Sequence, residues 1–185
     1  MHSVRLRRSF VARSALCVVA VVGVVAAVAV AAATLALPAG AAVRPGTSVA
    51  LTTPALAPYT DRVDLPPAGP SVGDIVTFHA PVSRNGSSTV IGYMTGSLRN
   101  ASIDFPRPGT AVREVNLVFV LRDGKDQLVI GGVAEYPLDA STLPLPSTTV
   151  RPLVGGMGRY AGARGWVETV HAADDTWTHT FHFTN

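Results

Sequence analysis

From Gly73 onward no window of eleven residues keeps the apolar spacing of a helix, and short runs rich in Val, Ile, Thr, Phe, Tyr and Trp recur instead. The runs cover 74–82, 89–99, 112–122, 127–136, 149–154, 164–171 and 176–184. Turn signals separate them: Arg84-Asn85-Gly86-Ser87, Pro106-Arg107-Pro108-Gly109, Arg122-Asp123-Gly124-Lys125 and Ala173-Asp174-Asp175. Seven regular strands, or eight if 48–52 lies along a sheet edge, predict an all-β barrel or sandwich. The one cysteine is Cys17, so nothing beyond it can form a disulfide. Closure into a barrel removes exposed strand edges without disulfides, which makes the barrel the expectation.

Both faces of several strands are apolar. In 112–122, Val115, Leu117, Phe119 and Leu121 share one face, while Val112, Val118 and Val120 share the other. An oligomer interface or a covering loop would account for the second face.

The first 41 residues have a different character. Arg5, Arg7, Arg8 and Arg13 precede an apolar run from Ala15 to Leu37, and Ala39-x-Ala41 follows. That order predicts a signal peptide over 1–41, and Arg7-Arg8-Ser9-Phe10-Val11 resembles a twin-arginine signal. The expected location is secreted or extracytoplasmic. The alternative is an uncleaved anchor, since the run is long enough to span a bilayer. Residues 42–72, dense in proline, are expected to form a tether, and 73–185 the barrel domain.

Four of the 15 basic residues lie in this N-terminal segment, which leaves 11 against 12 acidic ones. The basic balance therefore belongs to the segment, and no nucleic-acid partner is expected. No Gly-x-Ser-x-Gly elbow, phosphate-cradling loop or metal-ligand spacing occurs, so no metal or cofactor is expected.

The stretch from Val154 to Gly165, Val-Gly-Gly-Met-Gly-Arg-Tyr-Ala-Gly-Ala-Arg-Gly, contains Gly156-x-Gly158-x-x-Ala161, which matches a dinucleotide fingerprint in outline. That fingerprint needs a helix after it, whereas 164–171 reads as a strand. The stretch resembles instead the GGTGxFxxARG segment of the allene oxide cyclase and dirigent families. Gly73-Asp74-Ile75-Val76-Thr77-Phe78, Val90-Ile91-Gly92-Tyr93-Met94-Thr95-Gly96 and Asn116-Leu117-Val118-Phe119-Val120 are similar to their strands, in the same order. The resemblance implies an eight-stranded antiparallel barrel with a lipocalin-like pocket, often trimeric. It also departs from those families: Phe78-His79 is followed by Ala80 where dirigent proteins have an acid, and no Glu or Asn precedes Gly73.

If Arg164 faces the lumen, as the resemblance implies, alternation places Trp166 and Glu168 there too. Arg164 and Glu168 would then be catalytic, with desolvation raising the carboxyl toward neutrality. The alternative is an ordinary pair on the outer face. Trp177 and His179 share a face of the last strand with Phe181 and Phe183. Phe78, Tyr93, Met94 and Asn116 are further candidates for binding substrate, or for simple packing. The loop between Pro137 and Pro146 is long enough to cover one mouth. Two functions fit: a cofactor-free cyclase or isomerase acting on an apolar small molecule, or a carrier of such a molecule. A barrel packed solid would leave a structural domain.

Overall fold

The computed structural model describes residues 44–184; the expected signal peptide, 1–41, lies outside them. Ten strands follow one another: β1 (Ser48–Thr53), β2 (Thr60–Val63), β3 (Ile75–Arg84), β4 (Val90–Asn100), β5 (Thr110–Leu121), β6 (Asp126–Ile130), β7 (Val133–Pro137), β8 (Ser147–Met157), β9 (Gly165–His171) and β10 (Trp177–Phe183). All pairings are antiparallel, in the order β1-β10-β9-β8-β6-β5-β4-β3, and β1 returns to β3 through Leu51–Arg84 and Thr52–Ser83. The sheet is thus a closed, eight-stranded barrel. β2 continues the line of β1 along β3, and β7 continues the line of β6 along β5.

Period-two alternation fills the interior. Val76, Phe78, Ala80 and Val82 of β3 point inward, as do Val115, Leu117, Phe119 and Leu121 of β5. Phe119, Phe181 and Leu128 are fully enclosed at the centre, with the Phe119 and Phe181 rings edge to face at 5.1 Å.

Two expected boundaries need correction. The 42–72 tether contains β1, which pairs with β10 along its whole length. Leu51 is 1% exposed, so this strand is part of the barrel wall and the domain begins well before Gly73. The reason is local: Pro45 and Pro54 flank Ser48–Thr53 and leave its ladder hydrogen bonds intact. The expected single strand over 127–136 is two, because the chain turns at Gly131-Gly132, with Gly132 at φ +106°.

Asp74, at the foot of β3, ties down the excursion through β2. Its carboxylate accepts hydrogen bonds from the Leu65 and Ser71 N–H groups (both 2.9 Å), from Ser71 Oγ (2.8 Å) and from Arg62 (3.5 Å). Burial pushes this carboxyl up, but the hydrogen bonds more than offset it and take it down to about 2.

Candidate lumen site

β5 begins beside the end of β7 and finishes beside the start of β6, so the β7–β8 loop and the β5–β6 hairpin mark opposite ends of the barrel. The loop covers its end. Thr142 reaches the interior and Leu143 joins the core. Arg113 Nη1 donates to the Ala140 carbonyl (2.7 Å), and His171 Nδ1 lies 2.9 Å from the Leu143 carbonyl oxygen. His171 is placed by Asp175 Oδ1, 2.6 Å from Nε2, and by Trp177, on which it stacks at 3.7 Å.

Under the loop is a small space of about 30 Å³, room for roughly one water. Phe78, Met94, Leu98, Leu117 and Leu56 make it mainly apolar. Leu56, Thr142 and Trp177 also line an adjoining cleft of about 240 Å³.

The polar groups on this space are unusual for a filled barrel core. Arg151, on the inward face of β8, is 4% exposed; its Nη2 donates to Tyr136 Oη at 2.7 Å, and its Nε has no partner. Arg113 lies 5.0 Å over the Tyr136 ring and is 1% exposed, held by Asn100 Oδ1 (2.8 Å) and loop carbonyls. Neither arginine forms an ion pair among the described residues. Two guanidinium groups are therefore buried about one tyrosine; Arg113 is satisfied by Asn100 and the loop carbonyls, whereas Arg151 keeps its Nε without an acceptor, at a cost in desolvation. Burial raises the Tyr136 hydroxyl above its usual range, against the pull of both arginines, so it stays neutral.

His179 and Trp177 add to this. His179 Nδ1 is 3.1 Å from Thr169 Oγ1, the ring meets Phe119 edge on at 4.9 Å, and Nε2 is unpartnered. Desolvation, with the Arg151 charge behind it, lowers this imidazole to about 3, so the ring is neutral at physiological pH. Trp177 Nε1 is likewise buried without a partner. Arg151 Nε and Trp177 Nε1 can only donate, which suits them to a carbonyl, enolate or phenolate oxygen.

Of the residues expected from sequence, Phe78, Met94, Trp177 and His179 come together on this space. The others do not. Arg164, Trp166 and Glu168 lie on the outside of the barrel, so the expected lumen wall is absent. The phase of β9 is set by Val167 and Thr169, which point inward between Arg151 on β8 and Phe181 and His179 on β10. Arg164 donates instead to the Val154 carbonyl, and Trp166 stacks on His182 at 4.9 Å. Glu168 is exposed, so it does not reach the interior where its role was expected. Tyr93 and Asn116 are also on the outer face, Tyr93 beside His79. The residues missed were Arg113, Tyr136, Arg151 and Thr169. A signal existed for the first: Arg113 is in phase with Val115, Leu117 and Phe119.

The glycine segment makes a corner, with no helix to receive a pyrophosphate: β8 runs into the 3₁₀ turn Gly158–Tyr160 and then β9. Gly158 sits at φ +68°, against Lys125 and Asp126, where a side chain would collide.

No protein-family model matches the sequence, and no curated protein matches it either. Among solved structures, the chain is similar to pyocyanin demethylase, with 18% identity over 75% of this chain and 100% of that one, at a TM-score of 0.58. It is similar to a pterocarpan synthase dirigent protein, with 16% identity over 73% of this chain and 84% of that one, at 0.53. An exo-specific intermolecular Diels-Alderase aligns with 16% identity over 74% and 97%, at 0.44. At such identities the first two likenesses show the barrel fold.

Proposed function

We propose that this barrel binds an apolar small molecule through an acceptor oxygen and steers its ring closure or isomerisation by orientation. The observation that carries the reading is the set of unpartnered polar atoms, Arg151 Nε, Trp177 Nε1 and His179 Nε2, on one otherwise apolar space. Buried polar groups are nearly always satisfied, so three orphans on one space point to a missing partner. Arg151 and Trp177 would hold the oxygen and stabilise negative charge growing on it. The apolar walls would fold the rest of the molecule into its reactive shape, and such alignment can lower a barrier by up to ~7–11 kcal/mol. No carboxylate lines the space, so proton transfer there would fall to His179 or Tyr136.

The space is small, and Leu56, Thr142 and Trp177, which line both it and the adjoining cleft, would have to shift to admit a larger molecule. That smallness favours a second reading, a structural barrel with a filled interior. The architecture shared with a dirigent protein supports the first reading at fold level only. Export rests on the basic residues, apolar run and Ala39-x-Ala41 of the N-terminus.

Native mass spectrometry of the protein from its own host tests the proposal, followed by denaturing release of whatever it carries. A bound precursor that returns with an altered ring system supports it. A metabolite held and released unchanged would make the protein a carrier. An empty protein that takes up nothing from the host's apolar extract would leave the filled barrel.

A further inference from the structure

At the end of the barrel away from the β7–β8 loop, Arg84 of β3, Ile91 of β4 and Leu121 of β5 surround a recess. This basin has a volume of about 710 Å³, within the size range of small-molecule sites. Its floor is apolar, made by Val49 and Leu51 of β1, Ile91 of β4 and Leu121 of β5. Leu51 and Leu121 are core residues, so the floor is the top of the packed interior. Tyr160 closes one side, its ring stacked on Phe183 at 5.9 Å.

Arg84, Arg122 and Arg159 stand over this floor with a single carboxylate, Asp126. Asp126 is already committed. It accepts Arg159 N–H at 3.0 Å, Arg159 Nε at 2.7 Å and Arg122 Nη1 at 3.2 Å, and is 2% exposed. Burial pushes this carboxyl up, but these bonds outweigh it and hold it below its ordinary range, so it remains an anion. Arg84 forms no ion pair among the described residues. The rim therefore carries three guanidinium groups against one saturated carboxylate, above hydrocarbon.

We infer that this basin is a second ligand site, separate from the lumen, which takes an amphipathic anion. An apolar tail would lie on Val49, Leu51, Ile91 and Leu121, with a carboxylate or phosphate head among the arginines. The head would belong either to a free molecule or to a lipid in a bilayer; the chemistry is the same. Arg122 and Arg159 have a structural duty toward Asp126, so Arg84 is the residue that can be changed without disturbing the fold.

The test uses the full chain in phosphatidylcholine nanodiscs and a decanoate probe bearing an aliphatic diazirine, with adducts mapped by peptide mass spectrometry. Labelling is expected on peptides containing Val49, Leu51, Ile91 or Leu121, and excess decanoate should compete it away. The carboxylate probe on Arg84→Gln should label about three- to fivefold less, as befits loss of one exposed charge contact, and the matching alcohol probe, which carries no charge for any of the three arginines, should label less still. Suppression by added phosphatidylglycerol assigns the head to a lipid, and no suppression assigns it to a free molecule; either keeps the inference. Adducts confined to Met94, Leu117 or Trp177 would overturn it while leaving the lumen proposal standing. Equal labelling by the alcohol, or none by either probe, would overturn it as well.

Discussion

Acid should weaken this fold in a window that belongs to one buried ring. His179 is 2% exposed, and desolvation together with the Arg151 charge lowers it from 6.5 to about 3. The folded value is the lower one, so the stabilisation is complete above 6.5 and is lost as pH falls toward 3. At pH 5 the unfolded ring is protonated while the folded ring is not, a difference that costs about 2 kcal/mol of folding free energy. At pH 4 the cost is about 3 kcal/mol by the same relation. Both pH values lie above the ordinary carboxylate value of 3.8, so Asp74 and Asp126 contribute little there. Urea unfolding, followed by tryptophan fluorescence, reads the effect directly. With a typical slope of 1–3 kcal/mol per molar, the midpoint should fall by roughly 1 M between pH 7 and pH 5. In His179→Gln, which can still face Thr169 but does not titrate, most of that fall should vanish. An unchanged wild-type midpoint, or the same fall in the variant, would refute the placement of a neutral imidazole in a dry lumen.

Three further outcomes follow from the same geometry. Arg151→Met removes a buried charge that has no counter-ion, so thermal unfolding should show a fold stabilised by about 1–3 kcal/mol; under the proposed function it should also abolish binding of any apolar metabolite captured from the host. Glu168→Gln lies on the outer face and should change stability by less than about 0.5 kcal/mol, as measured by thermal melting. Asp74→Asn weakens the hydrogen bonds that hold Leu65 and Ser71; a loss of about 2 kcal/mol at pH 7 is expected in urea titrations. That loss should shrink as pH falls from 3.8 toward 2, where the native carboxylate is itself protonated.

Local chemistry determined much of this protein. β-branched and aromatic runs punctuated by Asn85-Gly86, Pro108-Gly109 and Asp123-Gly124 specify strands and their turns without reference to the rest of the chain, and the absence of cysteine beyond residue 17 favours closure. The last strand was legible to the side chain. Its aromatic positions, from Trp177 through His179 and Phe181 to Phe183, alternate with threonines and His182, so one face could only be the inner one. β9 offered no such contrast. Arg, Trp and Glu alternate there with Gly, Val and Thr, and either phase satisfies a period of two. Packing settled it, because the neighbours across β8 and β10 put Val167 opposite Arg151 and Phe181. The sequence could offer 48–52 as an edge strand, but only tertiary structure made Ser48–Thr53 a closing one, since its pairing with Trp177–His182 spans more than a hundred residues. The buried arginines show the same limit. A strand pattern can state that Arg113 shares the phase of Leu117, but only the closed barrel removes the water that would otherwise solvate it. Closure turns a run of alternating residues into an interior, and with it obliges a charge such as that of Arg113 to find its acceptors within the protein.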